Sequence, residues 1–93
     1  MRLAEFDDLF ATSAREVSRS PRRLRIHLVG EPGLVERVRD LAERETQCCS
    51  FFTFLIEGTD QDLTLDVSVP HARRGLLDAL AIRAERLASR SLA

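Results

Sequence analysis

Residues 23–29, Arg23-Leu24-Arg25-Ile26-His27-Leu28-Val29, alternate without a break, with Leu24, Ile26 and Leu28 on one side and Arg23, Arg25 and His27 on the other. A two-residue period of this kind is that of a strand with one face packed and one face wet. After it, Gly30-Glu31-Pro32-Gly33 is turn chemistry, and Leu34, Val38, Leu41, Glu45 and Cys48 fall on one stripe of a helix at steps of four and three. Before it, Phe6, Leu9, Phe10, Ala14 and Val17 recur at helical spacing, with acids in the first turns and Arg15 and Arg19 at the far end. These charges suit the helix macrodipole, and the spacing predicts an amphipathic helix over about residues 4–19, stopped by Ser20-Pro21.

Phe51 to Ile56 is rich in aromatic and branched residues, Gly58-Thr59-Asp60 reads as a turn, and Leu63, Leu65, Val67 and Val69 alternate with Thr64, Asp66 and Ser68. Two strands joined as a hairpin are expected. Pro70 ends the second of them and can open a last helix, in which Leu76, Leu77, Leu80, Ala81, Ala84, Leu87 and Ala88 make a broad apolar face. The element order is helix, strand, helix, strand, strand, helix. With right-handed crossovers this predicts an α+β fold, αβαββα, with a three-stranded mixed sheet of order 1-3-2 and helices mainly on one face. The arrangement is ferredoxin-like but truncated by its final strand, which leaves a strand edge or a sheet face for a partner. A single domain over 1–93 is expected, with the N-terminal helix at about 4–19 and a βαββα core at about 22–89.

With 44% hydrophobic and 31% charged residues, the composition is that of a folded chain rather than a disordered one. All 14 basic residues are arginine, and 15 acids leave a net charge of −1, so no global field favours a polyanion and nucleic-acid binding is disfavoured. Arg15, Arg19, Arg22, Arg23 and Arg25 form the one basic cluster, and the acidic hairpin with Glu57, Asp60, Asp62 and Asp66 is suited to pair with it across the sheet or across a dimer. Met1 to Phe10 lacks the basic flank and apolar run of a secretory signal, and no segment approaches the roughly 20 apolar residues of a membrane span. A cytoplasmic protein without membrane contact is expected. So short a chain buries a modest share of its surface, so a homodimer or a protein partner is expected.

The chemistry concentrates in Glu45-Thr46-Gln47-Cys48-Cys49-Ser50-Phe51-Phe52-Thr53-Phe54, which holds an acid on an apolar stripe, both cysteines and three of the five phenylalanines. Adjacent cysteines cannot staple a loop and are expected as reduced thiols. Neighbouring side chains of a helix diverge by about 100°, so two adjacent thiols converge on one ion only where the helix ends. Thiolates are the ligands of soft ions, which makes mercury, arsenic(III), copper(I) and zinc the candidates. Two sulfurs suffice for a linear ion. Zinc needs about four ligands, drawn from Glu45, His71 or a second subunit. Equally, cysteine is often a small buried filler, and Glu45 can be a solvated acid near Arg44. Dithiol redox sites place C-x-x-C at a helix start, whereas these thiols are adjacent and near a helix end, so redox catalysis is the weaker option.

The runs Leu41 to Phe54 and Leu63 to Pro70 resemble a family of small uncharacterised bacterial proteins marked by E-x-x-C-C-x-F-x-F, carried here by Glu45, Cys48, Cys49, Phe52 and Phe54, with two residues rather than one between Cys49 and Phe52. Similar segments stand beside metal- or metalloid-responsive regulators, so the resemblance implies a link to heavy-metal handling. No helix-turn-helix accompanies the motif, and a complete regulator is not expected.

The preferred expectation is a small thiol module that takes a soft metal or metalloid through Cys48 and Cys49, with Glu45 as third ligand or orienting acid and His71 as a weaker donor. Phe51, Phe52 and Phe54 form its dry wall in this reading. The alternative is a noncatalytic interaction or dimerisation module with structural cysteines. A third reading is an organometal-processing enzyme in which two thiols hold the metal and Glu45 protonates the leaving carbon.

Overall fold

The computed structural model describes residues 3–48 and 50–92, and the side chains of these up to residue 88. The chain runs α1 (Leu3–Ser13), β1 (Ala14–Ser20), β2 (Arg23–Leu28), α2 (Leu34–Cys48), β3 (Thr53–Thr59), β4 (Asp62–Ser68), a single 3-10 turn (His71–Arg73) and α3 (Arg74–Leu92). The four strands form one sheet of order β1-β2-β4-β3 in which every neighbouring pair is antiparallel. No helix among the described residues is long and apolar enough to cross a membrane.

This corrects the three-stranded mixed sheet. The three expected strands are present in the expected order, as β2-β4-β3, and a fourth is added by residues 14–20, where a helix was expected to continue. The position that a truncated ferredoxin-like sheet would leave vacant is therefore filled, from the N-terminal side, by β1. Ala14 and Val17 fall in step with the helical positions Phe6 and Phe10, which is why spacing alone carried the helix too far. The helix ends instead at Ser13, where the Thr12 hydroxyl turns back to donate to the Asp8 carbonyl at 2.9 Å. The decisive contribution is non-local. The segment 14–20 satisfies its backbone by pairing with β2, from Ala14↔Leu28 to Ser20↔Arg23, across the two-residue turn Pro21-Arg22. Pro21 is thus a turn residue rather than a helix stop; its fixed φ suits the second position of a turn.

Sheet alternation divides the strands cleanly. Leu24, Ile26, Leu28, Leu63, Leu65 and Val67 are buried on one face, against Phe6, Leu9 and Phe10 of α1, Leu34, Val38 and Leu41 of α2, and Leu77, Leu80 and Ala84 of α3. α1 is tied to both other helices, by Glu5 to Arg44 at 2.9 Å and by Asp7 to Arg83 at 2.5 Å. Among the described residues, no helix covers the opposite face of the sheet. There Arg25 donates to the two oxygens of Asp66 at 3.0 and 3.5 Å, and His27 lies 2.6 Å from Asp62, so basic β2 and acidic β4 pair across the sheet as expected. The hydrogen bond to Asp66, followed by its charge, raises the pKa of Arg25 further. On β1, Arg19 reaches over to Asp78 of α3.

The β3–β4 hairpin turns at Asp60-Gln61, slightly later than expected, between the paired residues Thr59 and Asp62. Gly58 makes the approach possible: its φ is +111°, and a Cβ there would lie 2.1 Å from the Asp62 carbonyl oxygen. Asp60 then reaches the start of α2, its carboxylate accepting from the backbone N–H of Gly33 at 3.1 Å and of Val35 at 2.8 Å.

Candidate functional site

α2 carries the stripe Leu34, Val38, Leu41, Glu45, Cys48 toward the far end of the sheet. The first three are buried, Glu45 is fully enclosed at 0% exposure, and Cys48, the last residue of the helix, is exposed. The stripe therefore leaves the core between Glu45 and Cys48, not before Glu45. Glu45 is not a solvated acid beside Arg44. The Arg44 guanidinium donates to Glu5 and to Asp40, at 2.9 and 3.0 Å, and the Glu5 hydrogen bond leads the causes that raise its pKa.

Beyond the helix end, Phe51 is half-buried and Phe52 buried, and β3 begins at Thr53. The five phenylalanines form one continuous file. Ring centroids stand 4.9 Å apart for Phe51–Phe52, 5.7 Å for Phe52–Phe54, 6.5 Å for Phe54–Phe6 and 5.9 Å for Phe6–Phe10. These separations lie in the favourable range for aromatic pairs. The phenylalanines of the cysteine segment thus run on into those of α1.

His71 stands exposed at the head of the 3-10 turn, and Arg73 of the same turn places its guanidinium 4.9 Å from the centre of the Phe51 ring. That contact brings the segment after β4 to the same end of the molecule as Cys48, a proximity that spacing in the chain could not supply. Arg73 was not singled out in the sequence, where nothing marks one arginine of fourteen as the partner of Phe51.

Cys49 lies outside the described residues. Among the described residues no three His, Cys, Asp or Glu side chains converge to hold a metal ion, so Glu45, Cys48 and His71 do not make a three-ligand centre. No family model, curated protein or solved structure matches the chain. The chemistry of the site therefore rests on its own residues: an exposed thiol at a helix end, an enclosed carboxylate one turn earlier, and an aromatic floor capped by a guanidinium.

Beside this end, between α2 and β3, runs an open groove of about 460 Å³. Phe52, Phe54 and Ile56 line one side of it, and Arg39, Glu43 and Thr46 line the other.

Proposed function

We propose that this chain captures a thiophilic metal or metalloid ion, of the class of mercury(II), arsenic(III) or copper(I), through Cys48 and Cys49. The observation that carries the reading is the exposure of Cys48, the one member of the α2 stripe outside the core. A filler cysteine belongs in the core. A thiol at the last helical residue is instead open to an ion, and α2 ends at Cys48, as adjacent thiols require if they are to converge. Glu45 serves as orienting acid and His71 as an accessory donor. Two sulfurs suffice for a linear soft ion, whereas zinc needs about four ligands and would have to draw the others from Glu45, His71 or a second subunit.

The resemblance to a family found beside metal-responsive regulators points the same way. Binding through reduced thiols calls for a reducing compartment, and the reading places the protein in the cytoplasm, acting as a homodimer or on a protein partner.

Native mass spectrometry of the reduced protein, titrated separately with mercury(II), arsenite and zinc, tests it against a Cys48→Ser/Cys49→Ser variant. The expected result is uptake of one soft ion per chain, lost in the variant. Equal uptake by the variant, or no uptake by the native chain, overturns the proposal.

A further inference from the structure

Two strands border the sheet, and they are protected unequally. β1 has a bulge between Ala14 and Glu16, and Arg15, Glu16 and Arg19 place charge along it. Bulges and charges are the devices that deter an edge from pairing with another chain. β3 pairs with β4 in unbroken register from Thr53↔Ser68 to Thr59↔Asp62, and it contains neither proline nor lysine. Glu57 is its single charge, and Leu55 projects from it on the helix-free face, 45% exposed. Along the other face of this edge lies the groove floored by Phe54 and Ile56.

We propose that a second copy of the chain closes this edge, β3 pairing antiparallel with β3 about a twofold axis at Leu55. A twofold perpendicular to the sheet keeps each face on its own side, so open-face residues meet only open-face residues. With the axis at Leu55, the two exposed leucines lie opposite one another, Phe54 faces Ile56 of the partner subunit, and Thr53 faces Glu57 of the partner subunit. Apolar meets apolar on both faces, and Glu57 is not set against its own copy. The groove walls match as well. Arg39 and Glu43 are exposed one turn apart on the α2 wall of the groove, so the twofold brings a wall carrying both signs of charge to each side of the seam. Two four-stranded sheets become one, with every helix on the same side. This complementarity of the edge with itself is what selects a second copy as occupant over an unrelated extended peptide. The proposal is independent of ion binding by the cysteines.

Sedimentation equilibrium of the reduced full chain should show a reversible dimer, and Leu55→Lys should weaken it by at least about tenfold, because like charges directly opposite in a sheet repel. Leu55→Cys in a Cys48→Ser/Cys49→Ser background should oxidise to a linked dimer, since residues directly opposite bring their Cβ atoms to about 4.5–5.5 Å, close to disulfide range. Thr53→Cys in the same background faces Glu57 of the partner subunit and should not link. A monomer at all concentrations overturns the proposal. So does a dimer indifferent to Leu55→Lys, or one that links through Thr53→Cys in preference to Leu55→Cys.

Discussion

The carboxylate of Asp60 accepts a hydrogen bond from the backbone N–H of Val35 at 2.8 Å, joining the turn of the β3–β4 hairpin to the first turn of α2 across 25 positions of the chain. The opening N–H groups of a helix lack intrahelical partners and normally take a cap from the residue just before them. Here the cap comes from another element, with a second bond to Gly33 N–H at 3.1 Å, while Gly30 N–H donates to the Asp60 carbonyl at 2.9 Å. Asp60→Ala should cost about 1–2 kcal/mol, as loss of a helix cap does. In a chain of this size that corresponds to roughly 4–8 °C in Tm per kcal/mol, read by thermal unfolding. Asp60→Asn retains an acceptor oxygen and should fall between the wild type and the alanine variant.

Gly58 and Gly33 form a matched pair for separating strain from collision. Both have positive φ, +111° and +100°, but a Cβ at Gly33 meets nothing within 4 Å, whereas one at Gly58 would sit 2.1 Å from a backbone oxygen. Gly33→Ala should therefore cost about 1–2 kcal/mol of backbone strain, and Gly58→Ala should reach or exceed about 3 kcal/mol because the hairpin must also shift. Urea unfolding of the two variants checks the difference. Equal losses would mean that the hairpin yields freely at Gly58.

What could be read from the sequence divides along the same line between local and non-local cause. The alternation at 23–29 and 63–69 located β2 and β4, and steps of three and four located α2 and α3, because each pattern reports its own burial. β1 escaped because the segment 14–20 has Val17 as its one large apolar residue, and because Ala14 and Val17 continue the spacing of α1. Its strand conformation comes from pairing with β2 and packing against α3, which no window of sequence contains. At the site, the density of Glu45, Cys48 and the phenylalanines was legible. The enclosure of Glu45 and the arrival of Arg73 over Phe51 were not, since both depend on how distant elements pack.

Asp66 is 6% exposed on the sheet face that carries no helix, covered by the side chains that flank it, among them Arg25 and, at 3.8 Å, Arg23. Asp66→Asn should lower Tm, and the gap from the wild type should narrow as salt is raised, because both guanidinium groups are more than half exposed. The pH dependence follows from the direction of the Arg25 shift. A basic group whose pKa rises on folding contributes stability that is fully present below its unfolded value and is lost as pH climbs through the folded one. For a guanidinium that loss lies in strong alkali, so melts at about pH 7 and pH 9 should show the same gap from this pair. A gap that changed between those two values would assign the stabilisation to another group.

The contact of Arg73 with Phe51 ties the 3-10 turn to the segment that follows Cys48, and its strength is open to direct measurement. Phe51 is half-buried and touches Phe52 at 4.9 Å, so Phe51→Leu loses aromatic packing as well as the guanidinium contact. Arg73→Ala loses the guanidinium alone. A double-mutant cycle removes these separate costs and leaves the coupling, which should be about 0.5–1 kcal/mol for an exposed cation over an aromatic face. If the turn also shields the end of α2, alkylation of Cys48 in a Cys49→Ser background should be faster in Arg73→Ala than in its parent at equal stability. A coupling near zero with unchanged alkylation would mean that the turn merely lies beside the cysteine segment and does not hold it.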